Sequence, residues 1–147
     1  MIILDFTTHR LYGTVYRARE ADFTPDAGDS DGSCLNMLYE TIGCRGVEAI
    51  PIARGIEMWV DEDPAGRDDS AAAFERINWL ATMLRTAYWA KSKGNITIPA
   101  TDATILGTAV LLGIDRDGEC VDLTREQVAY VKSLMDVEPR SEAAPEA

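Results

Sequence analysis

The chain has 147 residues, 46% of them hydrophobic and 27% charged, the proportions of a globular domain long enough to bury a core without disulfide or metal staples. Its formal net charge of -11 disfavours direct binding to DNA, RNA or anionic membranes, whose phosphates it would repel. The same acidity suits basic protein partners and favours solubility.

Met1 to Phe6, rich in Ile and Leu, predicts a short strand, and the alternation from Leu11 to Ala18 predicts a second strand pairing with it. Asp22 to Gly32 has turn chemistry and no periodicity. Ser33 can cap a helix from Cys34 to Ile42, with Leu35, Leu38, Tyr39 and Ile42 on one face and Gly43 as its stop. Val47 to Ala53 and Ile56 to Val60 read as a hairpin turning at Arg54-Gly55, and Pro51, which cannot donate to a ladder, marks an edge.

After an acidic loop, Asp61 to Asp69, Ser70 can cap the longest helix, Ala71 to about Lys93. Phe74, Ile77, Leu80, Ala81, Leu84, Ala87 and Tyr88 would be its core-facing stripe, and Lys91 and Lys93 suit the negative end of its dipole. A short strand can form at Ile96–Ile98. The run Ile105–Ile114 lacks polar alternation, as expected of a central strand covered on both faces. A turn at Asp115-Arg116-Asp117-Gly118 leads to Thr124-Arg125-Glu126-Gln127, a capping box in which the Thr hydroxyl and the Gln side chain satisfy each other's orphan N–H groups. Leu123 and Val128 can add a hydrophobic staple, and Val128, Val131, Leu134 and Met135 would face the core.

The order is strand-strand-helix, three times over. It predicts one α+β domain over residues 1–135, a mixed, mainly antiparallel sheet with three helices, the longest near residues 71–93, and a disordered acidic tail over 136–147.

Most common catalytic sites lack their residues. His9 is the only histidine and has no motif around it, so a surface histidine is the plainer reading. There is no Gly-rich phosphate loop and no nucleophile elbow. Cys34, Cys44 and Cys120 are three widely spaced thiols, which points to a reducing compartment and buried free cysteines rather than a zinc site with His9. The N-terminal residues have no basic region and no long apolar segment, so a cytoplasmic protein is expected. Asp61-Glu62-Asp63, with Asp68 and Asp69, is the densest carboxylate cluster, but Ala65 and Ala72 stand where a calcium loop needs ligands. A solvated loop at a helix N-terminus is the plainer reading. No metal, cofactor or catalytic residue is therefore assigned.

Two patterns suggest binding. Trp79 and Met83 fall off the core stripe of the long helix, together with Ala72, Thr86 and Ala90, so that helix is either sandwiched within its own fold or shared with a partner. Arg45, Arg54 and Arg67, with Lys91 and Lys93, could line a pocket rimmed by Trp59, Trp79 or Trp89, because arginine and aromatic faces together hold nucleotides. Spacing alone does not bring them together.

Leu35-Asn36-Met37-Leu38-Tyr39-Glu40-Thr41-Ile42-Gly43 followed by Val47-Glu48-Ala49-Ile50-Pro51 resembles the opening of a domain-of-unknown-function family, the one numbered thirty-eight forty-six, common on phages and other mobile elements. Glu62-Asp63-Pro64-Ala65-Gly66-Arg67 is similar to its acidic turn, the stretch Asp102 to Gly113 to its Asp-Ile-x-Gly-Thr-Ala strand, and Leu123-Thr124 with Gln127 to its closing helix cap. The resemblance covers residues 34–135; the long helix and the N-terminal hairpin depart from it. It carries no functional residue and implies an accessory phage or plasmid role, against host defence.

The combined expectation is a noncatalytic binding protein, homodimeric through Trp79, Met83, Thr86 and Ala90. It would sequester a small anionic ligand such as a nucleotide, through Arg45, Arg54, Trp59 and Arg67, or block a host protein. The alternative is a metal-dependent phosphoesterase using Asp61, Glu62 and Asp63.

Overall fold

The computed structural model describes residues 1–9, 11, 13–23, 32–63, 76–93 and 104–135. Strands β1 (Ile2–His9) and β2 (Gly13–Glu20) form an antiparallel hairpin, in register from Ile2 opposite Glu20 to His9 opposite Gly13. Helix α1 (Gly32–Ile42) stops at Gly43, whose φ of 77° is readily adopted only by glycine and lets its N–H reach the Tyr39 carbonyl at 2.8 Å. Strands β3 (Val47–Ala53) and β4 (Ile56–Asp61) turn at Arg54-Gly55, with Gly55 at φ 78° and a register shift between Pro51 and Ala53. Then come α2 (Trp79–Lys93), β5 (Ala109–Ile114), β6 (Cys120–Val121) and α3 (Arg125–Met135).

The strand-strand-helix order recurs three times, and the fold is α+β. The six strands make one sheet in the order β2-β1-β5-β4-β3, with β6 also on β5, and every described pairing is antiparallel. β5 lies at its centre, with Ala109, Val110, Leu111 and Leu112 fully buried. Its continuous apolar run follows from cover on both faces. One face packs Ile2, Leu4, Met58 and Leu111 against Ala81 and Leu84 of α2 and Val131 of α3. The other packs Ile3, Val110 and Leu112 against Cys34 and Leu38 of α1. Each large apolar side chain so buried contributes about 1.5–3 kcal/mol.

The long helix begins later than its periodicity suggests. Residues 76–78 are not helical: Ile77 bridges to Leu106, and α2 starts at Trp79. The cap is Asn78, whose Oδ1 accepts from the Ala81 N–H at 3.1 Å while the Thr82 N–H donates to the Asn78 carbonyl at 2.9 Å. The two Nδ2 protons go to the Leu4 and Gly107 carbonyls at 3.0 and 2.9 Å, and the Asn78 N–H to the Ile105 carbonyl at 2.8 Å. This fully buried amide ties β1, the approach to β5 and the start of α2 into one knot. It also explains why the Ile105–Ile114 run becomes strand only at Ala109: Ile105 and Leu106 serve the Ile77-Asn78 segment. Ser70, Phe74, the Ile96–Ile98 strand and the tail 136–147 lie outside the described residues, as do the side chains of His9, Ser33, Lys91 and Lys93.

The capping box of α3 is present in both halves. The Gln127 N–H donates to Thr124 Oγ1 at 3.1 Å, and the Thr124 N–H to Gln127 Oε1 at 2.9 Å. Leu123 and Val128 join the same core cluster, as a staple requires.

Candidate functional site

α2 has two unlike sides. Ala81 and Leu84 are fully buried against the sheet, and Thr82 is buried with its hydroxyl accepting from the Ile105 N–H at 2.9 Å. On the outer side, Trp79 is 49% exposed and Met83 is 40% exposed, with Thr86 and Ala90 exposed beyond them. Spacings of four, three and four residues place these side chains in one row, about 16 Å long at 1.5 Å per residue. The Thr86 hydroxyl donates to the Thr82 carbonyl at 2.9 Å, so its polar group is turned back onto the helix. The row is apolar and uncharged on a protein of net charge -11. The structure therefore brings together all four residues expected at an interface. On the flank of α2, Arg85 stacks over the Trp89 ring at 5.3 Å, a pair whose signal was its four-residue spacing.

The expected ligand residues do not gather. Arg45 lies exposed between α1 and β3, and Arg54 lies exposed in the turn after β3. They bracket a strand of seven residues, about 23 Å at 3.3 Å per residue. Trp59, on β4, is half-buried on the α1 face, where its indole Nε1 is buried without a hydrogen-bond partner among the described residues. Arg67 lies outside the described residues. Arg54 instead lines a cavity of about 560 Å³ with Glu126, Gln127 and Tyr130, and Gln127 Nε2 donates to the Gly55 carbonyl at 3.2 Å.

A larger cleft, about 750 Å³, opens between the end of β2 and α3 and is lined by Glu20, Asp22, Asp122, Arg125 and Lys132. Glu20, Lys132 and Asp122 already have partners. Lys132 donates to Glu20, and the Met1 ammonium donates to Asp122 and to the Ala21 carbonyl. Asp122 also accepts from the N–H groups of Phe23 at 3.3 Å and Leu123 at 2.9 Å. Burial alone would raise the Asp122 carboxyl, but the ammonium and these N–H donors hold it below the usual carboxylate range. No local pattern could have revealed this cleft, because Glu20 and Lys132 are 112 residues apart.

In the acidic loop, Asp61 is buried at the end of β4 and accepts from the Asp63 N–H at 3.0 Å, the geometry of a turn. Glu62 is exposed, and its N–H donates to the Gly46 carbonyl at 3.1 Å. Among the described residues no three His, Cys, Asp or Glu side chains gather as a metal would need. Asp68 and Asp69 lie outside them. No described helix is long and apolar enough to cross a membrane.

No family model matches the chain, and neither a curated protein nor a solved structure matches it.

Proposed function

We propose that the protein acts by noncatalytic binding, with the outer row of α2 as its contact surface and a second copy of the chain as the occupant of that surface. The observation that carries this reading is the half-exposed Trp79 beside Met83, on a helix whose inner side is sealed by Ala81 and Leu84. The core contacts of α2 run through Leu80, Ala81 and Leu84, and tryptophan and methionine are enriched where proteins meet. The absence of charge along the row lets two acidic molecules approach there with the least repulsion. Such a dimer fits an accessory protein of phage or mobile-element type that occupies a host factor rather than transforms a substrate. The separation of Arg45 from Arg54 weighs against a nucleotide held by both.

Light scattering across a concentration series tests this. Wild type is expected to move from one-chain to two-chain mass as concentration rises, and more readily in high salt, which screens the mutual repulsion. The variant carrying Trp79→Ser and Met83→Ser is expected to stay at one-chain mass with an unchanged circular dichroism spectrum. A wild-type protein that stays monomeric at all concentrations and salts overturns the homodimer. Thermal stabilisation by a nucleotide would favour the sequestering alternative.

A further inference from the structure

Two of the three cysteines meet inside the core. Cys34 lies in the first turn of α1 and is buried, and Cys120 opens β6 and is half-buried. Both belong to the cluster beneath α1, with Leu38, Val110 and Leu112. Their thiols share a hydrogen bond, and both are reduced. A disulfide first requires that two sulfurs can reach each other, and Cys34 and Cys120 pack into one cluster of the core. Cys44 lies past the opposite end of α1, about 15 Å from Cys34 at 1.5 Å per residue, so it is an internal control.

We propose that Cys34 and Cys120 form an intramolecular redox pair that closes into a disulfide when the protein meets a peroxide, stapling α1 to the β5–β6 hairpin. Hydrogen peroxide is small enough to enter beside the half-buried Cys120 and reach the buried Cys34. Cys120 is the poorer first nucleophile, because burial, and then the neighbouring Cys34 thiol, pushes it up to about 12. Cys34, in the first turn of α1 where the helix N-terminus favours a thiolate, opens the reaction. Its sulfur bonds to one peroxide oxygen, the O–O bond breaks, and the departing hydroxide takes up a proton to leave as water, giving a sulfenic acid. The Cys120 sulfur then bonds to the Cys34 sulfur and expels the second oxygen as hydroxide, which carries off the Cys120 proton as another water. Two thiols lose two electrons and one peroxide gains them.

The crosslink ties elements far apart in sequence, so it restricts the unfolded chain and raises the melting temperature. It lies under α1, across the sheet from the outer row of α2, so its test succeeds or fails independently of the dimer.

The full chain is treated with hydrogen peroxide, quenched with catalase, unfolded, alkylated and mapped by mass spectrometry. Free thiols are expected to fall from three to one, the mass by two hydrogen atoms, and the peptides holding Cys34 and Cys120 to run as one until dithiothreitol separates them. Tm should rise by several degrees on closure and return on reduction. Cys44→Ser should leave all of this unchanged, whereas Cys34→Ser and Cys120→Ser abolish it. The wild-type peptide map decides the matter even if a variant folds poorly. Three thiols retained, a link through Cys44, a link between chains, or sulfinic acids without a crosslink would each overturn the proposal.

Discussion

α2 and α3 lie on the same face of the sheet and contribute to one core cluster, yet they differ in what they turn away from it. The outward residues of α3 are Arg125, Glu126, Ala129, Lys132 and Ser133, a solvated face that ends apolar chemistry where the core ends. The outward residues of α2 are Trp79, Met83, Thr86 and Ala90. Two helices with the same packing duty thus expose opposite chemistries, charged on α3 and apolar on α2. Their caps differ in the same sense: Thr124 is exposed, whereas Asn78 is fully buried and holds three elements.

The comparison breaks most readily along α2 itself. Leu84→Ala should lower stability by about 2–5 kcal/mol, because it removes buried methyl groups and leaves a cavity. Met83→Ala, one residue away, should change it by no more than about 0.5 kcal/mol while weakening self-association. Urea unfolding of both variants in dilute solution measures the difference, and equal losses would mean that Met83 also serves the core. The caps come next. Asn78→Ala strips bonds from the Leu4 and Gly107 carbonyls and the Ala81 N–H and should cost about 3 kcal/mol, against about 1 kcal/mol for the exposed Thr124→Ala. Thermal melts of both variants check the order.

The smallest effect sharpens the charged character around α3. Asp122 titrates lower in the folded protein than a free carboxyl, so its stabilisation is fully present above about pH 4 and is lost as pH falls through the folded value. The gap in Tm between wild type and Asp122→Asn should therefore be open at neutral pH and close in acid. A gap that persists at about pH 2 would assign the stabilisation to shape rather than to charge.

Local rules served well where local physics decides. The Thr124–Gln127 box, the glycine stop at Gly43, the Arg54-Gly55 turn and the covered strand at β5 all rest on interactions within a few residues or on burial alone. They failed at the start of α2. Ser70 and Asn78 are both good caps by chemistry, and nothing near Ile77 signals that its backbone is committed to Leu106. The grouping of Arg45, Arg54 and Trp59 meets the same limit: all three lie within 15 residues in sequence, yet β3 carries the two arginines to its opposite ends.

The amino-acid order by itself set the repeating strand-strand-helix plan and the outward row of Trp79, Met83, Thr86 and Ala90, because helical and strand periods assign faces without knowledge of what covers them. Only the tertiary structure decided that this row is bare and that Asn78 opens the helix. It alone brought Cys34 against Cys120, because contacts between distant residues form only when the sheet draws its strands together.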